Sequence, residues 1–266
     1  MKDNIRPSGY RGRVCLPRNG CFIVFEGIEG SGKTTASRKL QEYLTKREFL
    51  VFWTREPTNS KIGSLIEDIL RAKITVAEEA IPLLFASDRA DHTKRVIVPK
   101  IKKGYTVISD RYVHSSLAYQ KSGMGRVFGR DWLEKINKYS ISPDLVIFLD
   151  ISPEEGLSRI GKWQRIHDDK FFEDVETQKR IRDAYHEILH LNKPLAGLFG
   201  KDLLLGSSLS KVKSVSAVGS VTVVAVDASL DQDTIQNAIN EIVQRFLKSR
   251  GIEKQPENEG PSSTLF

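Results

Sequence analysis

Short apolar runs separated by longer amphipathic stretches organise this chain. Cys21 to Phe25 is continuously hydrophobic, and similar runs recur at Leu50 to Trp53, Thr106 to Ser109, Leu145 to Leu149 and Val221 to Val226. Each is too short for a typical helix and rich in β-branched or aromatic residues, as expected of a strand buried on both faces. Between them, apolar residues return at helical spacing over Thr34 to Lys46, Ile62 to Arg71, Glu78 to Ala90, His92 to Lys103, Arg130 to Tyr139, Pro153 to Ile160, Val175 to Leu191 and Thr234 to Ser249. This alternation predicts an α/β fold in which five parallel strands, joined by right-handed crossovers, are flanked by helices. Asn192 to Ser220 breaks the pattern with Gly, Ser and Lys and reads as an inserted loop or hairpin. Residues 1–20 read as a flexible basic leader and 249–266 as a disordered tail, which leaves one domain over 21–248.

Composition narrows the setting. Hydrophobic residues at 39% and charged residues at 28% are those of an ordinary globular protein. No stretch approaches the roughly 20 apolar residues of a membrane span, and the first residues lack the apolar core of a signal peptide, so a cytoplasmic protein with no membrane partner is expected. The net charge of +7 suits nucleic acid, a membrane surface or a phosphate-rich small ligand. Lys2, Arg6, Arg11, Arg13 and Arg18 all lie in the leader, where a solvated tail accounts for them, and nucleic acid is not the expected partner. Cys15 and Cys21 have no Cys or His cluster around them, so neither a disulfide framework nor a zinc site is predicted.

The first apolar run leads into Gly27-Ile28-Glu29-Gly30-Ser31-Gly32-Lys33-Thr34, with Thr35 following, which fits G-x-x-x-x-G-K-[ST] between a strand and a helix. Glycines let successive N–H groups curl toward phosphate oxygens, and the helix N-terminus adds partial positive charge. Lys33 is then placed to reach the β- and γ-phosphates and Thr34 to hold Mg²⁺. The fold expected is therefore a P-loop NTPase, and by itself the motif says only that a nucleoside triphosphate binds, since motors, GTPases, transporters and kinases all share it. Arg55-Glu56-Pro57 and Asp110-Arg111-Tyr112 follow the next two strands, at the edge where open α/β sheets bind ligands. Two arginines there can grip a dianionic phosphate, and Asp110 is a second candidate anchor for Mg²⁺.

Phe25 to Thr35, Thr54 to Pro57, Leu84 to Arg89, Asp110 to Gln120 and Val226 to Ser229 together resemble the motifs of the thymidylate kinase family, in that family's order. The resemblance implies ATP-dependent phosphorylation of thymidine monophosphate (dTMP), with Mg²⁺, by a homodimer. It implies that Phe85 stacks on the base, that Arg89 reaches the base edge or the nearby phosphate, and that Arg55 and Arg111 hold the acceptor phosphate. It also implies that Ser116 and Gln120 read the base while Tyr119 crowds the sugar 2′ position. The P-loop interior offers Glu29 and Gly30 and no Arg, which matches the branch of the family that carries arginines in a lid. A lid over about 159–174 contains Arg159, Lys162, Arg165 and Lys170, of which Arg165 and then Arg159 are the candidate catalytic cations.

The chain departs from the family pattern at Thr58 and Asn59, where many relatives carry two glycines, at Glu67, where some carry Arg, and at Lys170, where Arg is frequent. A kinase for another pyrimidine nucleotide or a deoxynucleoside, or a regulatory P-loop protein with little transfer activity, would share parts of the pattern. The intact set of Lys33, Thr34, Asp110 and Arg111 argues against the last of these.

Overall fold

The computed structural model describes residues 20–122, 128–161, 174–191, 211–218 and 220–254. Leader residues 1–19, Lys162, Arg165 and Lys170 of the lid, insertion residues 192–210 and tail residues 255–266 lie outside the described residues. In chain order the elements are β1 (Cys21–Glu26), α1 (Lys33–Thr45), β2 (Val51–Arg55), α2 (Lys61–Leu70), α3 (Ala80–His92), α4 (Val98–Lys102), β3 (Thr106–Asp110), α5 (Val113–Ser122), α6 (Arg130–Ile136), β4 (Leu145–Asp150), α7 (Pro153–Gly161), α8 (Val175–Ile188), β5 (Val212–Val218), β6 (Val221–Asp227) and α9 (Gln232–Ser249). Among the described residues no helix is long and apolar enough to cross a membrane.

The strands form one sheet in the order β2-β3-β1-β4-β6-β5. The five expected strands pair in parallel, and β1, β3 and β4, buried at every position, explain the unbroken apolar runs. The chain moves to one side of β1 for β2 and β3, and to the other for β4 and β6. That reversal opens a crevice at the carboxyl end of β1. Register brings Arg55 opposite Asp110, Asp110 opposite Phe25, and Asp150 opposite Asp227, so one edge of the sheet collects the polar strand ends.

Three readings of the sequence are corrected here. The count of five strands is one short: the described end of the insertion forms a hairpin with β6, in which Val212–Val218 pairs antiparallel at the sheet edge, with a register shift between Val212 and Ser214. Val113–Ser122, which shows no helical periodicity, is the helix α5; it is enclosed on most sides, so His114, Ser116 and Gln120 are buried alongside Leu117, Ala118 and Tyr119. Arg250 and Ile252, read as the start of a disordered tail, pack on the domain: Arg250 Nη1 lies 3.3 Å from Asp144 Oδ1, and Ile252 rests against the core. In addition, the two helices expected over Glu78 to Lys103 run into each other through a π-helical turn at Thr93–Ile97. Pro99 follows this turn, and its lack of an N–H removes one hydrogen bond that a regular helix would need.

Side-chain caps set several helix starts. Ser60 accepts a hydrogen bond from Gly63 N at 3.1 Å to open α2, Asp174 accepts from Thr177 N at 2.7 Å to open α8, and Asp231 accepts from Thr234 N at 2.9 Å to open α9. Asp144, just before β4, joins three strands. Its Oδ2 accepts from Phe22 N at 2.9 Å, its own N–H donates to Phe22 O, and its carbonyl accepts from Thr222 N. Asp144→Ala should leave the buried Phe22 N–H without its acceptor and cost about 1–3 kcal/mol of stability, read as a lowered urea midpoint with an unchanged m-value.

Candidate active site

The loop after β1 is shaped by close backbone approach. Gly30 has φ +72°, and a Cβ there would stand 2.0 Å from Gly156 O in α7, while a Cβ on Gly156 would stand 2.6 Å from Glu29 O. Gly27, with φ +153°, faces Leu149 O and Ser31 at similar range, so both positions require glycine. Gly32, at φ +88°, turns the chain into α1. The Lys33 ammonium donates to Ile28 O at 2.6 Å and to Ser31 Oγ at 3.3 Å. Burial, and then the neighbouring Arg111, pull it down to about 8. Thr35 is exposed on the first turn of α1.

Thr34 Oγ1 donates to Asp110 Oδ2 at 2.5 Å, joining the loop to the end of β3. Asp110 Oδ1 is buried without a hydrogen-bond partner. One hydroxyl and one carboxylate with an unused oxygen form a hard oxygen donor set, which suits Mg²⁺, an ion that takes few protein ligands and completes its shell with water and phosphate. Among the described residues no cluster of three or more His, Cys, Asp or Glu side chains forms a metal cage.

Arg111 joins the loop to the crevice. Its backbone has φ 68°, held by Arg111 N donating to Phe25 O at 2.9 Å and by Ser109 Oγ donating to Arg111 O at 2.8 Å. Its guanidinium pairs with Glu29 and donates to Tyr119 Oη at 3.2 Å, while Tyr119 Oη donates to Glu29 Oε1 at 3.1 Å. Burial pushes the Glu29 carboxyl up, but Arg111 and then Lys33 outweigh it and hold the group down at about 2. Beneath them lies Glu26, fully buried, which accepts from Tyr112 N, Ser115 N, Ser115 Oγ and Tyr185 Oη at 2.6–3.3 Å.

Beside this cluster opens a cavity of about 520 Å³, counted with its mouth. Glu29, Glu56, Phe85, Arg89, Arg111, Ser116, Tyr119 and Gln120, all candidates from the sequence, share its lining with Pro57, Leu70, Tyr112 and Ser115. Arg89 is only 1% exposed. It donates to Glu56 Oε2 at 2.7 Å, Asn137 Oδ1 at 2.5 Å, Tyr112 O at 3.4 Å and Ser116 Oγ at 2.9 Å. The second Glu56 oxygen lies 3.0 Å from His92 Nδ1, and His92 Nε2 lies 2.7 Å from Thr54 Oγ1. Gln120 Oε1 is buried without a hydrogen-bond partner.

Arg55 and Arg159 stand apart from both the phosphate loop and this lining. Arg55 turns to α2, where its Nη2 donates to Glu67 Oε1 at 2.6 Å and Asn59 Oδ1 at 3.1 Å. Arg159 pairs with Glu155 one turn back on α7 at 2.7 Å, and Arg165 lies outside the described residues. Sequence reasoning passed over His92, Asn137 and Glu26. The signal for Glu26 was present, since a charged residue closing a continuous apolar strand needs an internal partner; His92 and Asn137 gave none.

A sequence profile described as thymidylate kinase matches residues 25–195. The chain is similar to a probable thymidylate kinase of Pyrococcus horikoshii, with 40% identity over 177 residues, covering 65% of this chain and 84% of that protein. It is also similar to a probable thymidylate kinase of Pyrococcus abyssi, at 39% over 181 residues (66% and 86%), and to a thymidylate kinase of Clostridium novyi, at 39% over 176 residues (64% and 85%). With a strand–loop–helix phosphate cradle, a polar-lined cavity beside it and this likeness across most of each relative, the chain belongs to the thymidylate kinase family.

Proposed function

We infer that this chain transfers the γ-phosphoryl group of ATP to dTMP, giving dTDP and ADP. The observation that carries the reading is the Glu29, Arg111 and Tyr119 cluster, which joins the wall of the cavity to the phosphate loop. A phosphate held by Arg111 at that junction is adjacent to a triphosphate held by the loop.

In this reading the backbone of Gly27 to Thr35 cradles the donor and Lys33 shifts from Ile28 O to the β- and γ-phosphates. Thr34 and Asp110 hold Mg²⁺, which supplies neutralisation of charge on the phosphates. An oxygen of the acceptor phosphate attacks the γ-phosphorus in line, the bond to ADP breaks, and no enzyme-bound intermediate forms. A phosphate dianion needs no strong general base, so alignment and charge neutralisation carry the rate. Arg111 and Arg55 hold the acceptor phosphate. Phe85 and Leu70 offer apolar faces to the base, Gln120 and Ser116 offer polar atoms to its edge, and Arg89 and Glu56 fix that edge from beneath. Arg159 and Arg165 are the lid cations. A homodimer belongs to the same proposal, supported by the family likeness: Leu65 on α2 and Leu83 on α3, two helices in contact, are exposed apolar side chains that a second copy would bury.

A coupled assay of ADP formation over a panel of monophosphates tests the substrate. dTMP should give the highest kcat/KM, deoxyuridine monophosphate the next and purine monophosphates low values; equal turnover of adenosine or guanosine monophosphate would overturn the reading. A pH series tests Lys33. With the ammonium at about 8 in the free enzyme, kcat/KM for ATP should be level from about pH 7, where the substrate phosphates are fully ionised, up to that value and fall about tenfold per unit above it, as the charge is lost. At saturating ATP the kcat limb should move to higher pH, because bound phosphates favour the charged lysine. A profile level to about pH 9.5 would show that Lys33 keeps its charge there, and full activity of Lys33→Ala would remove it from the role. Arg165→Ala should lower kcat by about a hundredfold to a thousandfold, with a far smaller change in the KM for dTMP; a loss under about tenfold would transfer the lid role to Arg159.

A further inference from the structure

The turn after β2 is pinned firmly while the arginine at its start is held off the cavity. Asp88, buried on α3, accepts from Thr58 N at 2.8 Å, Thr58 Oγ1 at 2.6 Å and Ser60 Oγ at 3.0 Å. Gly63, on the first turn of α2, presses against the same turn, since a Cβ there would stand 1.9 Å from Thr58 O. The backbone between Thr58 and Gly63 is therefore fixed to α3, and Asn59 and Glu67 are carried on a rigid base.

Both of those side chains take the same nitrogen of Arg55. Nη2 has two hydrogens, and the two acceptors, Glu67 Oε1 at 2.6 Å and Asn59 Oδ1 at 3.1 Å, are enough to occupy both. A two-pronged grip on phosphate by a guanidinium uses Nη2 with either Nε or Nη1. Arg55 in this arrangement cannot make one until it releases Glu67 or Asn59. It also does not line the cavity, whereas Arg111 does. Glu67 is itself shared, its Oε2 lying 3.4 Å from Arg71 Nη2. Arg55 and Glu67 are 43% and 26% exposed, so water can replace either partner and release is inexpensive.

We propose that Glu67, aided by Asn59, is a latch for Arg55: a positioning residue that competes with the acceptor phosphate for the guanidinium and thereby sets acceptor affinity. The proposal rests on the reading of Arg55 as an acceptor-phosphate ligand. Glu67→Gln removes the charge and keeps the shape. It should raise kcat/KM for dTMP about twofold to fivefold, the range of a half-exposed ion pair, chiefly through a lower KM, with the KM for ATP unmoved. A merely structural role would not separate the two substrates in this way. Generic repulsion between Glu67 and a dianionic acceptor would also lower the KM, and a double-mutant cycle distinguishes it. In an Arg55→Ala background the latch has nothing to hold, so Glu67→Gln should then change kcat/KM by less than about 1.5-fold, within the additivity of uncoupled sites.

An unchanged or raised KM for Glu67→Gln overturns the latch, as does a gain of equal size in both backgrounds. Wild-type turnover in the same assay tests the reading beneath it. If the wild type fails to phosphorylate dTMP, the proposed function falls; if it succeeds and the cycle shows no coupling, only the latch does.

Discussion

A carboxylate with no exposed surface closes the central strand, and the functional edge is arranged around keeping it satisfied. Burying Glu26 removes it from water, which carries a cost that only donors at hydrogen-bond distance can offset. Burial pushes its carboxyl up; contacts led by His114 and Ser115 more than reverse this and hold it low. The donors include the backbone of Tyr112 and Ser115, and the hydroxyls of Ser115 and Tyr185. Those groups come from the turn after β3 with the α5 helix it opens into, and from α8, so one anion under the phosphate loop ties two distant stretches of chain to β1. Arg111 precedes Tyr112 in the first of them, and its unusual backbone angle follows from where Glu26 and Phe25 O hold that turn.

Above Glu26, charge is balanced locally. Arg111, Glu29 and Lys33 perturb one another strongly: Glu29 is held acidic by the two cations, while Lys33 is pulled down by burial and by Arg111. A triphosphate approaching this group meets a lysine that holds its proton only loosely and an arginine that cannot lose its own. The two cations are therefore unequal, one responsive to pH near neutrality and one fixed.

Most of the parallel sheet was legible because strands buried on both faces leave unbroken apolar runs, and the phosphate loop was legible because its glycine spacing is a local requirement. Elements whose surroundings come from distant sequence were not. α5 mixes His114, Ser116 and Gln120 with apolar neighbours because it is enclosed on most sides, so no polar face marks it as a helix. β5 carries lysine and serine and is read as a strand only once β6 is known to offer an edge. Among site residues, the cavity lining was largely foreseen through the family motifs. The partners that orient it were not, since His92 and Asn137 reach Glu56 and Arg89 across 36 and 48 positions of chain. Glu67 was visible as a departure, but its effect on Arg55 required the fold of the turn between them.

The seam between Gly30 and Gly156 has a mechanical meaning. Two backbones meet there with no side chain between them to bend or re-pack, so the phosphate loop and α7 cannot move independently along that contact. α7 carries Arg159 and leads in sequence to the other candidate lid cations, so a shift of the loop toward that contact pushes on the helix from which they follow.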